Sequence, residues 1–199
     1  MLRTDDTLSN QHRTRLSILF VVAVAGCLSL VAAKVLVMPL GVERLHNGNT
    51  LIADGRIGND ACALEVDSLG RLVWAYVKGD VPFLHTARRL PTGNTLMSSS
   101  YGNKVLEVNR DGDRVWLDST SLSYPNEAYR LNNGNTLITD GDNNRVIEVT
   151  PNLSIVWSYS NLDGPHNGNR LGNGHTLICD SDSNRVIEVD STGTVVWRA

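Results

Sequence analysis

Cysteine, the residue that staples small secreted domains and holds structural zinc, is scarce in this 199-residue chain, which has three. Neither Cys62 nor Cys179 has a metal-ligand spacing, and two isolated positions do not make a disulfide framework. An excess of one charge sign is also lacking. The 18 Lys and Arg against 21 Asp and Glu leave a net charge of −3, with no basic cluster interleaved with aromatics. That excludes the electrostatic footprint of a nucleic-acid binder. Phenylalanine occurs only twice, and past residue 40 the apolar segments are too short for the helices of a helical repeat. What remains, rich in Gly, Asn and Asp, suits a turn-dense β protein.

One long apolar run is present. Residues 16–33 carry no charge, about the length that spans a bilayer as a helix. Arg3, Arg13 and Arg15 precede the run and only Lys34 closely follows it, which places the N-terminus in the cytoplasm and the rest outside. We expect residues 1–15 to be a cytoplasmic tail and 16–39 a transmembrane anchor. Two alternatives stay open. One is a cleaved signal with its apolar core at residues 17–26; the other is a lipoprotein box at Val24-Ala25-Gly26-Cys27. The run continues past Cys27, which favours the uncleaved anchor.

From residue 40 onward the chain repeats itself four times. Arg44, Arg89, Arg130 and Arg170 open the unit, Gly48, Gly93, Gly134 and Gly174 follow, and Trp74, Trp116, Trp157 and Trp197 close it. The glycine steps are 45, 41 and 40 residues, a period of propeller blades or helical arrays. In the third copy the spacing predicts strands over 127–131, 136–140, 145–149 and 154–158. Asn133-Gly134 predicts a two-residue hairpin turn with positive φ at its central positions. Four short strands per copy predict an all-β fold: a propeller of four four-stranded blades over 40–199, about 40–78, 79–120, 121–160 and 161–199. Glu65, Glu107, Glu148 and Glu188 each stand nine residues before their Trp, and the first copy carries an insertion near residues 56–60.

A residue that recurs in every copy belongs to the blade. The Trp is expected to cap blade-to-blade packing, and the Arg and Glu to pair within or between blades. Four blades close only with strong curvature, and the first follows the apolar run directly. An open array, with its first inner strand strained or missing, is therefore a second expectation.

The stretch from Arg130 to Trp157, RLNNGNTLITD…NRVIEV…IVW, resembles the repeat of arylsulfotransferase-type propellers and the wider PQQ-like and NHL-like blades. Asp190-Ser-Thr-Gly193 with Trp197 echoes the outer-strand motif of quinone enzymes, one residue short, and no set of quinone ligands accompanies it. The resemblance implies a propeller domain and, for the sulfotransferases, sulfuryl transfer between phenols through channel histidines and an arginine without a diffusible cofactor.

Function is to be sought where the copies disagree. Four residues before each repeat Arg stand Leu40, His85, Asn126 and His166, on the strand expected to line the channel. A neutral imidazole can act as a nucleophile or general acid/base, and Arg88, Arg89 or Arg170 is placed to hold sulfate oxygens. The candidate catalytic set is His85, His166, Arg89 and Arg170. His46 and His175 read as turn residues, and Asp140-x-Asp142-x-Asn144 and Asp180-x-Asp182-x-Asn184 as Asx turns; they lack the Gly and Glu of a calcium loop. No metal or cofactor is expected. The chain reads as a membrane-anchored, extracytoplasmic module that binds a small molecule or a protein, with an arylsulfotransferase-like enzyme as the alternative.

Overall fold

The computed structural model describes residues 36–56 and 61–199, and from Val37 to Ala199 the chain forms one compact unit. Sixteen strands follow one another without a helix among the described residues. The first sheet is β1 (Pro39–Arg44), β2 (Thr50–Asp54), β3 (Cys62–Val66) and β4 (Leu72–Tyr76). The second is β5 (Leu84–Arg89), β6 (Thr95–Ser99), β7 (Lys104–Val108) and β8 (Arg114–Asp118). The third is β9 (Pro125–Arg130), β10 (Thr136–Asp140), β11 (Arg145–Val149) and β12 (Ile155–Tyr159), and the fourth is β13 (Pro165–Arg170), β14 (Thr176–Asp180), β15 (Arg185–Val189) and β16 (Val195–Arg198). Each sheet is an antiparallel meander in sequence order, one per repeat, and each is one blade.

No helix among the described residues is long and apolar enough to cross a membrane. The run at 16–33 and most of the blade-1 insertion lie outside the described residues.

The tight turns differ from the expected two-residue type. In blade 3 the Leu131 amide donates to Asn135 O and the Gly134 amide to Leu131 O, and only Gly134 takes a positive φ, +86°. Asn133 keeps a negative φ, and its side chain serves the turn: Oδ1 accepts from the Asn135 amide and Nδ2 donates to Glu148. The longer loop lets the same Asn serve the turn and the neighbouring strand.

Blades pack face to face, and the apolar core is divided among their junctions. Leu51, Trp74, Leu84 and Met97 fill the first; Leu96, Val105, Ile138 and Ile147 the second; Leu137, Val146, Ile178 and Ile187 the third. Every residue of β6 and β10 is buried, as befits strands covered on both faces. All of β16 is exposed, and β1 does not pack on β13. The described array is thus open between blades 4 and 1. Its first inner strand is present: β1 pairs with β2 over its length, and the Met38 amide donates to Asp54 at 2.8 Å.

The recurring residues form one junction device, used three times. Arg89 donates to Glu65 at 2.8 Å, Arg130 to Glu107 at 2.8 Å and Arg170 to Glu148 at 2.7 Å; in each case the Arg belongs to the blade after the Glu. The same guanidinium carbons lie 4.7, 5.0 and 4.7 Å over the rings of Trp74, Trp116 and Trp157. The Trp sits opposite the Glu on the neighbouring strand, so one residue pair presents both a carboxylate and a π face to the incoming cation. Each indole Nε1 then donates to a turn carbonyl of the next blade: Arg110, Pro151 and Ser191. Burial raises the Glu65 pKa, but hydrogen bonds from Asn49 and Arg110 and the charges of Arg110 and Arg89 outweigh it and hold it below the usual carboxylate range.

Candidate functional site

The four positions picked out by disagreement share a backbone irregularity. In every blade the pairing of inner with second strand skips one residue, and the residues skipped are Leu40, His85, Asn126 and His166. A bulge frees a side chain from the ladder and re-aims it. Here it lets side chains of blades 2 and 4 meet: the His85 and His166 rings lie 4.9 Å apart, edge to face at 66°. Between them in the array, Asn126 is buried and donates to Pro165 O at 3.0 Å.

An aromatic mouth adjoins the imidazoles. Phe83 stacks on Tyr101 at 4.6 Å, Tyr101 meets Tyr124 at 5.5 Å, and Phe83 lies 6.3 Å from His85. Phe83 and Tyr124 have φ of +54° and +52°, a region L residues avoid; the same loop position in blade 4 is Gly164, at +55°. Bulky aromatics in a glycine conformation store strain of about 1–3 kcal/mol each, and such strain concentrates at functional sites. The Asn103 side chain holds the turn by accepting from the Tyr124 amide. Tyr101 is exposed, so the mouth opens to solvent.

The electrostatics of this end bear on His85 and Tyr124. Burial, and then the charge of His166, push the His85 pKa below the usual imidazole value, against the Asn126 backbone and Glu127. His85 is therefore an uncharged imidazole at neutral pH, with a buried Nδ1 that has no hydrogen-bond partner among the described residues. Burial, followed by Tyr101, raises the Tyr124 pKa, so its phenol stays protonated.

Further along the inner strands lies a polar network. Arg88 pairs with Glu127, donates to Tyr129 Oη at 2.6 Å and lies 4.0 Å over the Tyr129 ring. Asn167 donates to the other oxygen of Glu127, and Asn169 to Asn167 at 2.8 Å. Beyond it, a cleft of about 520 Å³ opens between the hairpins of blades 3 and 4, lined by Tyr129, Arg130, Glu148, Asn169 and Arg170.

The structure thus separates the candidate set. His85 and His166 meet. Arg89 and Arg170 lie four residues further along their strands, about 13 Å at strand rise, and their guanidiniums are committed to Glu65 and Glu148 and to the carbonyls of Gly93 and Gly174. Arg88 is closer but engaged by Glu127. His175 is a turn residue, as expected, and also bonds Glu188 at 2.7 Å. Asp140 and Asp180 are occupied by Arg145 and Arg185. Sequence reasoning missed the mouth and most of the polar network. The network's signal was there in the slot of Gly41, Thr86, Glu127 and Asn167, which also differs in every copy.

Neither a protein-family model nor a curated protein sequence matches the chain. Solved structures do match in fold. A Bacteroides caccae protein of unknown function is 21% identical, with a TM-score of 0.65 over 84% of this chain and 69% of its own. The catalytically inactive virginiamycin B lyase from Staphylococcus aureus with quinupristin is 16% identical, with a TM-score of 0.66 over 82% and 56%. The WD40 β-propeller domain of Doa1 is 13% identical, with a TM-score of 0.64 over 79% and 53%. The chain therefore spans little more than half the length of the lyase and the WD40 domain. These likenesses establish a β-propeller fold built of repeats.

Proposed function

We propose that this chain is a membrane-anchored, extracytoplasmic propeller module that binds a small planar ligand at the mouth formed by Phe83, Tyr101 and Tyr124 with His85 and His166. One observation carries the reading: two residues of this mouth hold a glycine conformation, at positions where the copies differ, beside two imidazoles that bulges bring into contact. Aromatic faces and the neutral His85 imidazole suit a ligand with a π surface and a polar edge, such as a phenol. The fold does not choose the ligand, since it serves a lyase in one relative and a WD40 domain in another. The anchor follows from the apolar run at 16–33 and the arginines before it.

Titrating nitrophenol into the protein, followed by intrinsic fluorescence and calorimetry, tests this reading. Saturable binding that weakens about tenfold or more in Tyr101→Ala and His166→Ala supports it. Binding that ignores both changes sinks it.

Sulfuryl transfer is the second reading, favoured by the neutral His85 imidazole against His166. What weakens it is that Arg88, Arg89 and Arg170 are all engaged by carboxylates. Release of nitrophenolate from nitrophenyl sulfate, with a phenol as acceptor and no metal or nucleotide added, is the assay. Turnover lost in His85→Ala and His166→Ala while the fold persists would bring the enzyme reading to the front.

A further inference from the structure

The junction device is left half-made at each end of the array, and the two halves are complementary. In blades 1 to 3 the Glu uses its two oxygens for different blades. Oε1 accepts from its own hairpin, through Asn49, Asn94 and Asn135, and Oε2 accepts from the Arg of the following blade. In blade 4 Glu188 Oε1 is taken by His175 in the same way, but Oε2 has no partner among the described residues. At the other end, Arg44 donates through Nη1 to Gly48 O at 2.9 Å, as the other three do to their hairpins, yet it has no carboxylate among the described residues. A carboxylate oxygen stands open on one outer face and a guanidinium edge on the other.

The apolar parts tell the same story. Trp74, covered by blade 2, is 9% exposed, whereas Trp197 is 49% exposed and its indole donates to no carbonyl among the described residues. The carbonyl that corresponds to Arg110, Pro151 and Ser191 is that of Ser68, on blade 1. Ala87, Ala128 and Gly168 are each buried against the preceding blade; in blade 1 the same slot is Val42, 73% exposed. Val42 is the bulkiest of the four, so a junction built on it packs wider than the internal three.

We propose that blade 4 of one copy seats on blade 1 of a second copy, pairing Glu188 with Arg44 and placing Trp197 against the Ser68 carbonyl. Used twice about a two-fold axis, this head-to-tail contact lets each copy cover the two open faces of the other. A second copy is the occupant because the faces carry opposite charges in the register that the chain repeats internally three times.

The test uses the full chain in detergent at micromolar concentration, with mass measured by light scattering after subtraction of the detergent. Wild type is expected as two copies. Arg44→Glu or Glu188→Arg alone sets like charges against each other and is expected to raise the dissociation constant about tenfold or more, giving one copy with a retained β spectrum. Mixing the two single variants makes both seams complementary and restores two copies, as does the double variant. A wild type that stays a single copy overturns the proposal, and so does a two-copy mass that ignores both reversals. Should a single variant lose its β spectrum, the mixture still decides: recovery of the two-copy species supports the seam, and no recovery refutes it.

Discussion

Arg130 of blade 3 and Glu107 of blade 2 stand 2.8 Å apart, with the Arg130 guanidinium 5.0 Å over Trp116, the residue opposite that glutamate on the next strand. The pair is largely buried, so its loss leaves one charge without a partner. Arg130→Ala is therefore expected to destabilise the fold by about 2–4 kcal/mol. Arg71→Ala, which removes an exposed pair with Asp67, should leave the denaturant midpoint where it is. Urea unfolding of both variants is the measurement, and equal midpoints would remove the ion pair from the list of things that hold blades together.

The tryptophans predict a graded series. Trp74 is buried at its junction, Trp157 is half covered, and His166 is exposed at the mouth. Truncation to alanine should cost about 3–5 kcal/mol at Trp74, less at Trp157 and least at His166. A His166→Ala variant less stable than Trp157→Ala would mean that the mouth, rather than the repeated position, carries stability.

Phe83→Gly should separate binding from stability. Releasing a left-handed φ gains about 1–2 kcal/mol, and losing the stack on Tyr101 forfeits about 0.5–1.5 kcal/mol, so the thermal midpoint should hardly move. Ligand affinity at the mouth should fall. A large loss of melting temperature with unchanged affinity would reverse the roles assigned to this ring.

The lowered pKa of His85 makes a pH prediction whose sign is fixed. The unfolded chain takes up a proton near pH 6.5, while the folded chain resists until lower pH. Unfolding therefore gains protons in that window, and stability falls as pH drops through it. His85→Gln should flatten the urea midpoint between about pH 5 and 7, above most carboxylate titrations. A slope that persists in the variant points to another group.

Much of the blade was legible because it repeats. Two strands of the third copy, 136–140 and 145–149, fall where the spacing put them, and 154–158 is one residue early. The inner strand starts at Pro125 rather than Glu127 because the ladder resumes beyond a bulged Asn126, and alternation alone does not reveal a bulge. The Arg, Glu and Trp were recognisable as structural, and their pairing proves to run between blades. The meeting of His85 with His166 was partly legible, since both occupy one variable slot. The mouth was not: Phe83, Tyr101 and Tyr124 sit in three separate loops, where the pairing of β5 with β6 joins the first two and the packing of blade 3 on blade 2 adds the third.

The bulges at Leu40, His85, Asn126 and His166 have a practical meaning for anyone wishing to retool the molecule. Because these residues stand outside the register of the strand pair, their identity is uncoupled from the hydrogen-bonding that shapes a blade. The chain already installs an aliphatic, an amide and two imidazoles in the same seat without altering the strand order around it. The seats of Leu40, His85 and His166 can thus be reprogrammed one at a time, while Asn126 stays tied to Pro165 of the next blade, which makes the inner rim a set of sockets on a chassis that stays the same.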